Sequence, residues 1–592
     1  MRQLPGKVSR GARVAAMVLS CATAVILGFV VVSPDRAERL IVEWGYYYLL
    51  AVFALWLWIG RRVVADAFRE RGFSVDVPGR LALVAAGCSL FALSSDDRGH
   101  KILFDEYVIQ GTAWHLHATK EVGAPVRAYD IAGTWTTIDA YLDKRPFFYA
   151  LLVSLAHDLT GYRLENAFLI SSALAVFCVV LTGWIALALT GRRDASALAM
   201  VLLATTPLFG QNASGSGLEM LNLTMIAVVA ASGIFCLRSP WDANRQSFLA
   251  VGAVLLAQSR YESALFTVPV AAILITAWRR AGRVSLPWPV ICAPLLLIPY
   301  AWHGRVVDAK PQLWELREGD SARFAWRHLQ GNLEGALEFF LSVAPEQPGS
   351  LALVLTGGLG AVLLLGHTLN ARGRIRSAAP SALAWIGTGV AVHFVLILFY
   401  YWARFDEPVT ARFALPTLLM LALLAAVGLR LIDRRSAWLA RLPWAAWAVW
   451  MAMVALPTYA QRLYSQRNLV RHEIEWELSR VRERESPVLV LTSKATLPHL
   501  LHRIPALHLS MARLRGAEIA WHMERGTFRE VLVSQVIRPI TPQGSAGVDP
   551  ADELPDGFRL ETIERKRFGA RWVRLSRLVA VEGTAAATRP AD

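Results

Sequence analysis

Two adjacent carboxylates stand in the stretch ILFDEYVIQG, residues 102–111, next to an apolar run of the chain. Asp105 and Glu106 are followed by His115 and His117 in the sequence TAWHLHATKEVGAP. A carboxylate in such a position can take a proton from an attacking hydroxyl group, which is general base chemistry. The helix dipole also favours acidic residues at the start of a helix, so both interpretations stay open. The two histidines are spaced i, i+2 and do not share a helix face, which disfavours a metal site.

Seven further ionisable residues stand beside or between apolar blocks: Lys144, Arg145, Glu219, Arg260, Glu262, Arg404 and Arg412. An ionisable group costs roughly 2.5–3.5 kcal/mol at the middle of a membrane and less near its edge, so such residues usually have a purpose. Cationic side chains stabilise a departing phosphate. Together with one carboxylate base they suit the cleavage of a sugar from a polyprenyl phosphate carrier, because an anionic leaving group needs no strong general acid.

The composition is that of a membrane protein. Of 592 residues, 55% are hydrophobic and only 18% are charged, with a mean hydropathy of +0.39. The apolar residues come in blocks of roughly 16–25, the length that crosses the hydrocarbon core as a helix. The net charge of +15 comes largely from arginines between these blocks, as the positive-inside rule requires, which argues against nucleic-acid binding. All five cysteines lie inside apolar blocks and predict neither disulfides nor metal ligands.

The arginine clusters predict a topology of about thirteen spans with a cytoplasmic N-terminus and an external C-terminus. One assumption is needed, namely that the short apolar piece 146–159 lies along the interface instead of crossing. The segments 247–259 and 263–278 are short for two spans, and one kinked helix is the alternative. The predicted spans are 12–33, 41–60, 81–95, 166–190, 195–210, 218–237, 247–259, 263–278, 286–302, 350–369, 381–402, 411–430 and 443–459.

The predicted domain organisation has three parts. Residues 1–80 hold two N-terminal helices and a cytoplasmic loop, and residues 81–459 form a transmembrane domain with external loops 96–165 and 303–349. Beyond residue 459 the hydrophobicity falls, and residues 460–592 predict a small external α/β domain. One helix precedes strands at SPVLVLTS, EVLVSQVI, FRLETIERK and RWVRLSRLVAV, and the chain ends in the loose tail EGTAAATRPAD.

The order of these motifs resembles the GT-C superfamily of membrane glycosyltransferases. The most similar branch holds the protein O-mannosyltransferases and the lipid A aminoarabinose transferases. In this branch an Asp-Glu pair lies in the first large external loop, matched here by the FDEY sequence. A Lys-Pro-Pro-like entry to a membrane-edge helix follows, matched by Lys144, Arg145 and Pro146. An Arg-aromatic-x-x-Pro start to a late span is matched by Arg412, Phe413 and Pro416.

The resemblance covers roughly residues 81–430, with three departures. Two extra helices precede the loop, and KRP replaces the double proline. The turn that carries an arginine and an acid in the family has Glu219 but no arginine, so Arg260 or Arg404 is expected to replace it.

The resemblance implies a polytopic α-helical enzyme that transfers a sugar with inversion from a polyprenyl-phosphate donor. Asp105 is expected to be the general base, with Glu106 as the alternative. Lys144, Arg145, Arg260, Arg404 and Arg412 are expected to hold the phosphate or the lipid head group, and Glu219 to orient the acceptor or donor sugar. Glu262 is expected to be a substrate-binding residue, with a structural ion pair between Arg260 and Glu262 as the alternative. The acceptor classes are protein, lipid A and cell-wall glycan, and the expected location is the bacterial inner membrane. No cofactor is predicted, and a divalent cation stays open.

Three other functions compete with sugar transfer. A lipid or glycan transporter would place ionisable residues at mid-membrane and broken helices in symmetric positions, whereas the charges here gather on one side. A polytopic scaffold with an external binding domain would leave Asp105 dispensable. An enzyme similar to the O-antigen ligases and polymerases would also use a polyprenyl carrier but would move whole glycans.

Overall fold

The computed structural model describes most of the chain. The described residues are 10–69, 79–310, 322–342, 351–370, 377–433, 436–462, 465–466, 468–485, 487–539, 546–548 and 550–582. The predicted loose tail lies outside them from residue 583 onwards, as do parts of the predicted external loop 303–349.

The chain forms two compact units, and each contains segments that are distant in sequence. The first unit comprises Met1–Lys101, Lys120–Val122 and Asp143–Ser465, and the second comprises Ile102–Thr119, Gly123–Leu142 and Gln466–Asp592. Two segments that we expected within the transmembrane domain, 102–119 and 123–142, therefore belong with the C-terminal α/β unit. A sequence pattern cannot show this grouping, because about 320 residues of chain separate the parts.

The first unit is helical. Its described helices are Arg10–Val25, Pro34–Arg69, Gly79–Ser94, Phe148–Thr160, Glu165–Thr190, Arg193–Ala204, Pro207–Ala213, Glu219–Arg238, Ala243–Ala257, Thr267–Ala281, Trp288–Leu296, Ile298–Asp308, Leu329–Leu341, Leu351–Asn370, Ala378–Leu398, Leu415–Asp433, Leu442–Trp450 and Leu456–Gln461. Short 3₁₀ turns at Tyr261–Phe266 and Ala411–Ala414 lead into two of them.

Within the described residues, nine helical stretches are long and apolar enough to cross a membrane, so the chain is a multi-pass membrane protein. The predicted number of thirteen is not confirmed. Segment 195–210, for example, is divided into Arg193–Ala204 and Pro207–Ala213, because Pro207 has no N–H to continue the first helix. The helix Phe148–Thr160 has 13 residues and is about 20 Å long, too short to cross alone, as expected for residues 146–159.

The region around Arg260 forms two separate helices instead of one kinked helix. Asp242 accepts hydrogen bonds from the backbone N–H groups of Asn244 and Arg245 and so starts the helix Ala243–Ala257. That helix ends before Arg260, and the backbone of Arg260 is extended, with φ −151° and ψ 150°. The 3₁₀ turn Tyr261–Phe266 then leads into the next helix. Because Arg260 and Glu262 lie at this break, their side chains meet residues at the ends of neighbouring helices.

The second unit is built on a mixed sheet. Its strands are β3 (Val488–Thr492), β4 (Ala506–His508), β5 (Glu530–Pro539), β6 (Ala546–Val548), β7 (Phe558–Phe568) and β8 (Arg571–Val581). They lie in the order β4-β3-β5-β8-β7, with β6 beside β5. Strands β3, β4 and β5 are parallel, while β8 runs antiparallel to β5 and β7. The four strands predicted from the sequence are correct. The short β4 and β6 were not predicted.

Helices pack on this sheet or on the neighbouring hairpin of the second unit. They are Leu103–Thr119, Leu469–Arg482, Leu497–Leu500, Leu509–Leu514 and Gly516–Glu524. Leu489, Leu491, Val531 and Val533 alternate along β3 and β5 and pack with Leu578 of β8 into one apolar core. An antiparallel hairpin completes the unit, with β1 (Ala124–Ile131) paired to β2 (Thr134–Tyr141).

Candidate functional site

The first unit contains a buried cluster of four charged side chains. The Glu219 carboxylate accepts hydrogen bonds from Arg412, at 2.8 Å, and from Arg260, at 3.3 Å. The Arg260 Nε lies 2.5 Å from the Glu262 carboxylate. Glu219, Arg260 and Glu262 are each at most 8% exposed, so water does little to hydrate these charges. Two carboxylates and two guanidinium groups thus neutralise one another, as buried ions must.

Four helix termini bring this cluster together. Glu219 is the first residue of the helix Glu219–Arg238, and Arg412 lies in the 3₁₀ turn that precedes Leu415–Asp433. Arg260 and Glu262 lie at the break between two helices. The Phe413 ring packs beneath the cations, with its centroid 4.6 Å from the Arg260 guanidinium carbon. Residues predicted separately at span ends therefore meet in one place.

A cavity of about 260 Å³ adjoins the cluster, and Glu262 lines it. Its other polar lining residues are Lys144, Tyr261, Tyr300, His303, Asp308, Arg323 and Tyr400. The Tyr300 hydroxyl donates to the Tyr261 carbonyl, which holds two of these aromatic walls together. The cavity therefore has an apolar and aromatic wall with a few fixed polar groups, which is the usual character of a ligand site.

The remaining predicted cations are placed unequally. Lys144 lines the cavity. Arg145, its neighbour, forms an ion pair with Asp143 at 2.7 Å. Arg404 belongs to neither the cluster nor the cavity lining, because its side chain is 46% exposed and pairs with Asp406 at 2.6 Å. The structure therefore does not place Arg404 with the other predicted site residues.

The acidic pair lies in the second unit, at the start of the helix Leu103–Thr119. Glu106 is 1% exposed, and its carboxylate accepts a hydrogen bond from the backbone N–H of Ile102, at 2.9 Å. Asp105 is partly exposed. Leu103, just before the pair, has φ +22°, which a branched side chain rarely adopts. Backbone strain of this kind often accompanies functional residues.

One histidine of the same helix, His115, is buried against the hairpin. His115 is 5% exposed, and burial lowers its pKa to about 4, so its ring is neutral at physiological pH. The His115 Nδ1 lies 3.3 Å from the Thr137 hydroxyl of β2. The ring thus packs against the hairpin, in agreement with a structural role for His115.

The cluster does not fit a divalent cation. Hard cations need several carboxylate or carbonyl oxygens that are not already neutralised. Glu219 and Glu262 are each within ion-pair distance of a guanidinium group. Among the described residues, no three His, Cys, Asp or Glu side chains gather in the way that a metal site needs.

Sequence reasoning missed several residues of this site, above all His393 and the cavity tyrosines. His393 is 2% exposed, and its Nε2 lies 3.8 Å from the Glu262 carboxylate. It is the one ionisable residue in the apolar segment GVAVHFVLILF, a signal that could have identified it. Tyr261, Tyr300 and Tyr400 had no such signal, because tyrosines are common at membrane interfaces.

Comparisons with known proteins support the fold. No protein-family model matches the sequence, and no curated protein matches it. Among solved structures, ArnT from Cupriavidus metallidurans bound to undecaprenyl phosphate is similar, with a TM-score of 0.53, 14% sequence identity, and coverage of 84% of this chain and 98% of that chain. The apo form of the same ArnT gives a TM-score of 0.52, with the same identity and coverage. The Archaeoglobus fulgidus oligosaccharyltransferase gives a TM-score of 0.43 at 11% identity, covering 82% of this chain and 76% of that chain.

The ArnT likeness confirms the predicted fold. The chain shares with ArnT a helical membrane part and a C-terminal unit with a β-sheet, and at 14% identity this likeness shows the fold alone.

Proposed function

We propose that this chain is a GT-C glycosyltransferase that moves a sugar from a polyprenyl-phosphate carrier to an acceptor outside the cytoplasm. The observation that carries the proposal is the neutralised ion cluster beside a cavity that Lys144 and aromatic residues line. The similarity to ArnT, whose structure was solved with undecaprenyl phosphate, supports a polyprenyl carrier. The proposed location is the bacterial inner membrane, with the N-terminus in the cytoplasm and the C-terminal unit outside.

Lys144 is the best candidate for the donor phosphate. A phosphate needs a cation at the cavity that it enters, and Lys144 lines the cavity next to Pro146. Arg260 and Arg412 already donate to Glu219, so a phosphate would have to displace that carboxylate. We therefore assign Arg260 and Arg412 a positioning function, in which they fix Phe413 and Glu262 at the cavity wall.

Asp105 is the better candidate for the general base. The Glu106 carboxylate is buried and already accepts the Ile102 N–H, whereas Asp105 is partly exposed. In the proposed inverting step, Asp105 takes the proton of the acceptor hydroxyl as its oxygen attacks the anomeric carbon. The bond from that carbon to the phosphate oxygen breaks, and the electron pair leaves with the polyprenyl phosphate. The negative charge stays on the phosphate, so no acid has to protonate it.

The test is sugar transfer by the purified full chain in lipid nanodiscs. Radiolabelled polyprenyl-phosphate sugars are supplied together with an extract of membrane acceptors. The Asp105→Asn variant is expected to lose at least about a hundredfold of the rate, the usual contribution of a general base. Asp556→Asn is the matched control, because Asp556 is an exposed carboxylate of the same unit. Full transfer by both Asp105→Asn and Glu106→Gln would overturn the assignment of the base.

A further inference from the structure

One face of the sheet in the second unit carries three arginines close together. Arg565 of β7 and Arg574 of β8 are direct cross-strand partners, and the next pair on that face is Arg567 with Trp572. Side chains of cross-strand partners lie on the same face with their Cβ atoms about 5 Å apart. The register therefore places three arginine side chains and one tryptophan side chain next to one another on the same face.

These arginines differ from the others around them. Arg559, Arg571 and Arg577 of the same two strands each pair with a glutamate, at 3.7, 2.5 and 2.6 Å. In the part of the chain that the structure describes, no carboxylate forms an ion pair with Arg565, Arg567 or Arg574. The hydrogen bonds of Arg574 and Arg567 go to uncharged acceptors. Arg574 donates to the Gln535 side-chain oxygen at 2.6 Å, and Arg567 donates to the Gly569 carbonyl at 2.9 Å.

The uncompensated charge affects Arg574 directly. Burial and the nearby charge of Arg565 both lower the pKa of Arg574. Its Nε is buried and has no hydrogen-bond partner among the described residues. Like charges directly opposite each other destabilise a sheet. A sheet that neutralises its other arginines and leaves these three without carboxylates is therefore suited to an anion supplied from outside.

The exposed side chain of Trp572 indicates which kind of anion binds this face of the sheet. Its side chain is 41% exposed although it is large and apolar, and it stands opposite Arg567. An exposed aromatic ring offers its face to the C–H groups of a sugar, while guanidinium groups bind phosphate or carboxylate oxygens in pairs. We propose that Arg565, Arg567, Trp572 and Arg574 bind an anionic saccharide, a sugar that carries phosphate or carboxylate, as part of the acceptor. Only the identification of this saccharide as part of the acceptor rests on the proposed function.

Direct binding tests this site without any sugar transfer. The full chain is placed in nanodiscs of neutral phosphatidylcholine, and no donor is added. The probes are N-acetylglucosamine 6-phosphate, neutral N-acetylglucosamine and inorganic phosphate, and the binding of each is measured by isothermal titration calorimetry. We expect the sugar phosphate to bind most tightly, because only this probe engages both the arginines and the ring.

Two matched double variants separate the site from general charge. Arg565→Gln with Arg574→Gln is expected to weaken binding of the sugar phosphate at least tenfold, about the loss of one charged hydrogen bond. Arg559→Gln with Arg577→Gln removes the same charge from the same strands and is expected to stay within about twofold. Trp572→Leu is expected to weaken binding of the sugar phosphate and to leave inorganic phosphate unchanged.

The melting temperature distinguishes a binding function of these arginines from a structural one. If the arginines stabilised the fold, their removal would lower the melting temperature. Because like charges repel, Arg565→Gln with Arg574→Gln is expected to melt at or above the wild-type temperature. A lower melting temperature, equal losses in both double variants, or inorganic phosphate binding as tightly as the sugar phosphate would overturn the inference. Binding that persists in a protein without transferase activity would reject the proposed function and leave the anionic-saccharide site standing.

Discussion

Replacing Glu219 by glutamine tests the buried ion cluster most sharply. Glutamine keeps the shape of the side chain but removes the charge that holds Arg260 and Arg412. At an effective dielectric constant of about 20, charges at 2.8 and 3.3 Å attract by roughly 6 and 5 kcal/mol. Repulsion between the two arginines and lost hydration offset part of this attraction. Removing one partner of a buried pair costs about 3–5 kcal/mol overall, and we expect Glu219→Gln to cost this much.

A double variant shows that the loss comes from charge and not from shape. Glu219→Gln combined with Arg412→Gln leaves one guanidinium, Arg260, beside one carboxylate, Glu262, so the cluster is neutral again. We expect the pair to be coupled by about 1–3 kcal/mol, with the double variant more stable than the sum of its parts. Unfolding in mixed detergent micelles, followed by tryptophan fluorescence, measures these free energies.

Glu334→Gln is the control, because Glu334 is exposed and, among the described residues, its carboxylate accepts a hydrogen bond from Gln330 of the same helix alone, at 3.0 Å. Its effect is expected to stay within about 0.5 kcal/mol. A Glu219→Gln protein as stable as the wild type, or strictly additive effects in the double variant, would refute the reasoning that the cluster is a balanced, mutually dependent set of charges.

Two further predictions concern the donor cation and the pH dependence of the second unit. Lys144→Gln is expected to weaken binding of polyprenyl phosphate at least about tenfold, measured with a fluorescent lipid analogue, while Lys120→Gln changes it little. Glu477 is buried; burial would raise its pKa, but Lys494, His499 and Ser534 lower it to about 2, from 4.5. A lowered carboxyl pKa stabilises the fold above pH 4.5, and this stability is lost as the pH falls toward 2. Acid titrations should show that loss in the wild type and a flatter curve in Glu477→Gln; equal slopes would contradict the assignment.

The sequence identified the membrane part because its signal is local. The segment 166–190 is uniformly apolar, and the observed helix is Glu165–Thr190. The meeting of Glu219, Arg260 and Arg412 was also foreseeable, because each stands at a span end on the same predicted side. These inferences needed only span length and charge position.

Other features depend on contacts between distant residues and could not be read from a local pattern. The grouping of Asp105 and Glu106 with a sheet more than 380 residues downstream is one example. Arg404 has the right type and position for the cluster, but Asp406 two residues later holds it at the surface. The arginine face on β7 and β8 became visible only when the register placed Arg565 opposite Arg574.

The most direct test of sugar transfer is the fate of the donor. Purified protein in nanodiscs is mixed with a synthetic polyprenyl-phosphate sugar and the membrane extract, and the lipids are analysed by mass spectrometry. The proposed function predicts that free polyprenyl phosphate accumulates in step with glycosylated acceptor and that Lys144→Gln and Asp105→Asn suppress both products. A donor that stays intact while it moves between leaflets, or cleavage that is unchanged in both variants, would contradict it.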